Sequence, residues 1–320
     1  MSYDGKLMRL AQQKFETDKA AREQRFRARR EAIFQAEPRL KEVDASLRST
    51  ASRIIATALR HGTDPATAVA ALREENLALQ EERKELLRRL GLEEDALEER
   101  PDCPFCNDSG FRGGSVCRCL RAYYAKEQQK ELSRMLDLGS QSFDTFSLDW
   151  YTDQSTMQVN YDICVEYAHN FGKQPGNLLL FGNPGLGKTH LSAAIAREVS
   201  ERGFSVVYDT AAHVFERFET QKFSRDNEEA DTDVERILSC DLLILDDLGT
   251  EMTTAFVQSA LYTVINTRLR EKRSTIISTN LRPSELTSRY SPQVASRVEG
   301  EYQFLPFVGE DIRKLKKNTR

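Results

Sequence analysis

Gly176-Asn177-Leu178-Leu179-Leu180-Phe181-Gly182-Asn183-Pro184-Gly185-Leu186-Gly187-Lys188-Thr189 is the stretch that decides the fold. Its first part is a short apolar run bounded by glycine, as a buried strand requires, and the rest matches G-x-x-x-x-G-K-[ST] at every fixed position. A helical segment then runs to about Val199. Strand, glycine-rich loop and helix in that order make an anion cradle. Glycines let backbone N–H groups curl around phosphate oxygens, and the helix N-terminus adds a partial positive charge. Lys188 is placed to reach the β- and γ-phosphates of ATP and the Thr189 hydroxyl to ligate Mg²⁺. The loop of Gly182, Asn183, Pro184, Gly185, Leu186 and Gly187, continued to His190, is the expected nucleotide-binding segment.

Working outward, Ser205-Val206-Val207-Tyr208, Leu242-Leu243-Ile244-Leu245 and Ser274-Thr275-Ile276-Ile277-Ser278 read as further buried strands. Gln303-Phe304-Leu305-Pro306-Phe307 reads as a fifth, at a sheet edge because proline cannot donate to a ladder. Helical segments separate these runs, which is the pattern of an α/β domain with a parallel sheet covered on both faces. The second strand of interest ends in Asp246-Asp247, expected next to the strand that carries the glycine loop. Adjacent carboxylates repel unless something cationic is shared. Asp246 is therefore assigned to Mg²⁺, and Asp247 to orienting or deprotonating the attacking water. Asn280, at the end of Ser278-Thr279-Asn280, can both donate and accept, and would hold that water against the γ-phosphate.

Before the sheet the composition is different. Residues 1–100 are rich in Ala, Arg, Glu and Leu and are expected to form a helical, partner-binding region. Leu40, Val43, Leu47, Thr50, Ile54 and Thr57 follow a 3–4 spacing, as do Val69, Leu72, Asn76, Leu79, Arg83, Leu86 and Leu90. His61-Gly62-Thr63-Asp64-Pro65 supplies a stop and a start between the two series. The pattern suits a helical hairpin, or a coiled coil with a second chain. Residues 101–125 hold Cys103, Cys106, Cys117 and Cys119 as C-x₂-C-x₁₀-C-x-C among turn-forming glycines. That spacing fits a structural Zn²⁺ site with no open position, an iron–sulfur cluster being the alternative. Cys164 and Cys240 lie in helical or apolar surroundings and read as core. A linker helix is expected over 126–142 and the nucleotide-binding domain over 143–320.

The bulk numbers exclude little else. Of the 320 residues, 30% are charged and the net charge is −4, so no whole-molecule field draws the chain to nucleic acid. Local clusters could, at Arg22–Arg30 and Arg313–Arg320, although solvated surface accounts for either alone. No run approaches the roughly 18 to 20 apolar residues that span a bilayer, and no apolar signal region opens the chain. A cytoplasmic protein without membrane partners is the expectation.

The glycine loop, the Asp-Asp strand, the Ser-Thr-Asn strand and Ala295-Ser296-Arg297 resemble Walker A, Walker B, sensor 1 and the arginine-finger box of AAA+ ATPases. CDLLILDDLGTE, ALYTVINTRL, TIISTNL and ASRVEG resemble the DnaC/DnaI replicative helicase loaders and their IstB-like relatives that assist transposases, over residues 143–315. Phe143-Asp144-Thr145-Phe146 resembles that family's opening segment, near the adenine, and the cysteine pattern resembles the zinc module of DnaI-type loaders. The resemblance implies an oligomer in which Arg297 enters a neighbouring subunit's ATP site, with Arg289 as runner-up. It also implies a five-stranded AAA+ core. No lid domain is expected after residue 310, which leaves Arg313 as a weak counterpart of the sensor 2 arginine. A helicase loader acting on single-stranded DNA is the function implied. A transposase-assisting ATPase and a nucleotide-gated adaptor are the alternatives.

Overall fold

The computed structural model describes residues 3–58, 65–135, 140–173, 176–223 and 228–318. These divide into two compact units, one of residues 15–112 and one of residues 1–14 with 113–320.

Helix α1 spans Gly5–Ala36, α2 Pro38–Ala58 and α3 Pro65–Arg89. Pro38 and Pro65 each stand at the first helical position, where the missing N–H costs nothing and φ is already set. In the 15–112 unit, Ile33 and Phe34 of α1 pack with Leu40 and Val43 of α2 and with Leu86 and Leu87 of α3, closed by Leu97. Helices α2 and α3 run antiparallel. Arg39 meets Glu82 at 2.7 Å and Arg53 meets Glu75 at 2.8 Å. Between those pairs the Asn76 amide donates to the Thr50 hydroxyl at 2.9 Å, so two polar residues on the apolar stripes satisfy each other. The stop-start at His61–Asp64, and the stripe side chains of Ile54, Thr57 and Val69, lie outside the described part.

Short strands β1 (Phe111–Arg112) and β2 (Ser115–Val116) form a sheet of their own. The other unit continues with α4 (Arg118–Met135), two 3₁₀ turns at Phe143–Thr145 and Leu148–Trp150, and α5 (Gln154–Asn170). Then follow β3 (Asn177–Gly182), α6 (Lys188–Glu201), β4 (Val206–Thr210), α7 (Ala211–Phe223), α8 (Glu228–Ser239) and β5 (Leu242–Leu248). The chain goes on through α9 (Ala255–Arg270), β6 (Ser274–Thr279), α10 (Pro283–Arg289), α11 (Pro292–Glu301), β7 (Tyr302–Phe307) and α12 (Ile312–Asn318).

Strands β3 to β7 form one five-stranded sheet in the order β4-β5-β6-β3-β7, parallel throughout. Alternation along each strand feeds two cores. Leu178, Leu180, Leu242, Ile244 and Ile276 go to one face, with α5 and α6. Leu179, Leu243, Leu245 and Ile277 go to the other, with α7, α9 and α11. The edge position of β7 agrees with its Pro306, which pairs with Phe181. One expectation fails. The Asp-Asp strand β5 is not beside the loop-bearing strand β3, because β6 lies between them. Apolar runs fix which strands are buried but carry no neighbour information, so strand order had to come from the fold.

Candidate nucleotide site

Strand β3 delivers the chain to a loop that turns through left-handed conformations at Gly185 (φ 79°) and Gly187 (φ 86°). Gly182 is irreplaceable for a different reason: a Cβ there would collide with the Phe307 carbonyl of the neighbouring strand. Lys188, the first residue of α6 and 5% exposed, reaches back across the loop. Its ammonium donates to the carbonyls of Gly182 (2.8 Å) and Asn183 (2.9 Å) and to Asn280 Oδ1 (2.9 Å). Burial pulls its pKa below the ordinary lysine value, against the opposing pull of Asp247 and Asp246.

Asp246, buried on β5, is fixed by hydroxyls. Tyr208 on β4 donates to Oδ2 at 2.6 Å, and Ser278 on β6 and Thr189 on α6 (3.4 Å) both donate to Oδ1. The pairing of β5 with β6 is irregular between Leu245 and Leu248, and Asp247 adopts a left-handed φ of 54° there. An extra residue in a ladder re-aims the side chains next to it. Here it turns Asp247 into the same cleft as Lys188 and Asn280 rather than into the sheet. Burial, and then the charge of Asp246, raise the Asp247 pKa above the ordinary carboxylate value. Thr189 Oγ1 and Asp246 Oδ1, 3.4 Å apart, suit Mg²⁺. Two neighbouring ligands at about 2.1 Å from such an ion sit about 3 Å from each other.

The cleft holds about 460 Å³ and is lined by Pro184–His190, Asp247, Asn280, Ser140, Gln141 and Thr145–Ser147. That volume lies within the roughly 300–1,000 Å³ of small-molecule sites. His190 Nε2 is 2.8 Å from the Ser142 carbonyl and 3.3 Å from Thr145 Oγ1. Its ring meets Phe146 edge-on at 5.4 Å. Sequence reasoning gave no role to the clamp residues Tyr208 and Ser278: Tyr208 belongs to no motif, and in Ser278-Thr279-Asn280 only Asn280 carries an expected role. It also underrated the C-terminal helix. The Ile312 N–H donates to the Gly185 carbonyl at 3.1 Å, and Arg313 and Lys316 of α12 line the cleft. Lys316 lies 5.5 Å from the centre of the Trp150 ring.

Arg297 is not among the residues lining the cleft. It stacks on Tyr262 at 4.7 Å, donates to Asn266 Oδ1 at 3.0 Å and to the Tyr262 hydroxyl at 3.0 Å, all on α9 of its own chain. Arg289 is likewise tied to the loop after β5, donating to the Glu251 carbonyl at 2.8 Å.

A model of the IstB-like ATP binding protein family matches residues 124–294, over half the chain. The chain belongs to that family. Among curated proteins it is 28% identical over 150 residues to the replicative helicase loader DnaC of Buchnera aphidicola subsp. Baizongia pistaciae, covering 47% of this chain and 61% of that one. It is 30% identical over 139 residues to a putative insertion sequence ATP-binding protein of Sinorhizobium fredii, covering 43% of this chain and 44% of that one. Among solved structures, the crystal structure of the DnaC helicase loader aligns with 54% of this chain and 99% of that one. Its TM-score is 0.47 and its identity 22%, too slight a likeness to bear on function.

In this IstB-like protein the matched region holds Lys188, Thr189, Asp246, Asp247 and Asn280, while Arg297 and Arg313 follow it and the four cysteines precede it. Those cysteines are drawn together, the sulfurs of Cys103, Cys106, Cys117 and Cys119 all lying within 4.8 Å of one another. Tetrahedral zinc with Zn–S near 2.3 Å sets sulfurs about 3.8 Å apart, so the cluster fits that ion after slight contraction. The Asp108 carboxylate accepts the Cys103 N–H at 2.9 Å and the Asp102 N–H at 3.1 Å, which shapes the first turn. Cys164 and Cys240 are buried in the sheet unit, and burial pushes the Cys164 thiol up to about 12. Among the described residues no helix is long and apolar enough to cross a membrane.

Proposed function

We propose that this chain binds and hydrolyses ATP and uses that cycle to deliver a replicative helicase onto single-stranded DNA. The observation that carries the reading is the convergence of Lys188, Asp246, Asp247 and Asn280 at the carboxyl end of the sheet, from strand β5, the end of strand β6 and the start of helix α6. Phosphoryl transfer needs positioning and charge more than covalent chemistry, and each residue supplies one part. The Lys188 ammonium exchanges its carbonyl partners for β- and γ-phosphate oxygens. Thr189 and Asp246 hold Mg²⁺, which neutralises phosphate charge when bound. Asp247, its pKa raised, takes or orients the proton of the attacking water, and Asn280 fixes that water from the other side. Arg297, offered to the neighbouring subunit of an oligomer, neutralises transition-state charge there.

Delivery of a helicase is supported by the DnaC relatives named as replicative helicase loaders. The α1–α3 unit and a Zn²⁺-bearing cysteine cluster serve partner recognition in this reading, since neither contains a catalytic constellation. The Sinorhizobium fredii relative favours a second reading, an ATPase that assists a transposase. Affinity capture from an extract of the source cell separates them. The loader reading expects a hexameric helicase to be retained by the full chain. Retention of a transposase with no helicase would replace it by the second.

A further inference from the structure

The cleft has two ends of different chemistry. At one end lie Lys188, Asp247 and Asn280, where a triphosphate belongs. The other is walled by the segment from Ser140 to Ser147, held to helix α6 through His190 and bearing the Phe146 ring. Because α6 also carries the phosphate loop, this wall stands at a fixed distance from the phosphates, where a nucleotide places its base. Gln141 lines this end, and its Oε1 is fully buried without a hydrogen-bond donor among the described residues. A buried acceptor left unpaired is costly, and proteins keep few of them.

We infer that Gln141 is the base-selecting residue of the site, its Oε1 accepting a hydrogen bond from the exocyclic amine of adenine. Adenine presents a donor at that ring position, where guanine presents a carbonyl oxygen. Guanine would set acceptor against acceptor in a buried place, which is a strong basis for rejection because neither group can turn to water. The inference rests on the nucleotide-site reading above and adds the purine preference to it. Gln141 lies before both the phosphate-loop motif and the Phe143–Phe146 segment, so no motif points to it.

The test is calorimetric binding of ATP and GTP, each with Mg²⁺, to the full chain, with circular dichroism melts to establish folding. Wild type should prefer ATP by about tenfold or more, the value of one hydrogen bond near 1.4 kcal/mol. Gln141→Met, similar in length but without that oxygen acceptor, should weaken ATP by about tenfold and tighten GTP, because the opposed acceptor is gone. Gln141→Glu keeps an acceptor and should keep the preference. An unaltered ATP preference in Gln141→Met overturns the inference, provided Lys188→Ala has lost both nucleotides. A wild-type preference for GTP also overturns it, since the amide would then present its donor. Absence of binding by either nucleotide to wild type overturns the nucleotide site and this inference together.

Discussion

Asp246 and Asp247 are neighbours in sequence with different surroundings, and their roles divide accordingly. Asp246 accepts from Tyr208, Ser278 and Thr189 and is 5% exposed, so it is a fixed anion suited to a metal ion. Asp247 projects into the cleft with a raised pKa and suits proton handling. Lys188→Ala is therefore expected to abolish ATP binding. Asp247→Asn should bind ATP within a few-fold of wild type while turnover falls by about a hundredfold or more, the scale of a lost general base. Filter binding and phosphate release separate the two, and wild-type turnover in Asp247→Asn would remove it from the mechanism. His190 gives a pH signature. Burial lowers its pKa below the ordinary histidine value, aided by the charge of Lys316 and opposed by the Ser142 carbonyl. The unfolded chain then binds more protons below about pH 6.5, so this contribution to stability is complete above that pH. It is lost as pH falls from there through the lowered folded value. Melting temperature should drop between pH 7 and pH 5.5, and His190→Gln should flatten that drop. An equal drop in the variant would assign it elsewhere.

At the scale of elements, strands β3, β5 and β6 were legible because each is a continuous apolar run, and the glycine loop because its motif sits between strand and helix. The irregularity that turns Asp247 was not legible, since it depends on how β5 registers against β6. Tyr208 and Ser278 were hidden for a similar reason: each is an ordinary strand residue until strand order brings its hydroxyl to Asp246. Helix α12 carries the same lesson. A short basic segment near the C-terminus reads by itself as solvated surface, with Arg313 only a weak sensor 2 counterpart by resemblance, yet Ile312 is hydrogen-bonded to Gly185 and Arg313 lines the cleft. The cysteine cluster was readable from spacing alone, because ligand spacing is local. One equivalent of zinc is expected to co-purify with the chain. Cys103→Ser should lose it, and the segment around residues 101–120 should become protease-sensitive, because the metal supplies much of the folding free energy of so small a segment. A metal-free protein with the same protease pattern as wild type would count against the zinc assignment.

At the scale of the whole molecule, the packing of residues 1–14 with the sheet unit could not be foreseen, since it rests on distant partners such as Arg236, which pairs with Asp4 at 2.8 Å. Arg297 raises the question of assembly. Its guanidinium is held by Tyr262 and Asn266, so Arg297→Ala tests a packing role and a catalytic one together. A finger acting across subunits predicts unchanged ATP binding and melting temperature, with stimulated turnover reduced by about a thousandfold. Mixing that variant with Lys188→Ala protein should restore part of the activity, because one mixed interface joins an intact loop to an intact arginine. A lowered melting temperature and no recovery on mixing would leave Arg297 a packing residue. The central claim, that ATP turnover here places a helicase on DNA, is tested most directly by reconstitution. Purified helicase, this chain and closed circular single-stranded DNA are combined with ATP, and the helicase retained on the circle is measured after a high-salt wash. Wild type should leave helicase encircling the DNA, while Lys188→Ala should capture helicase and leave none. Equal loading by wild type and Lys188→Ala, or by helicase alone, would contradict the account.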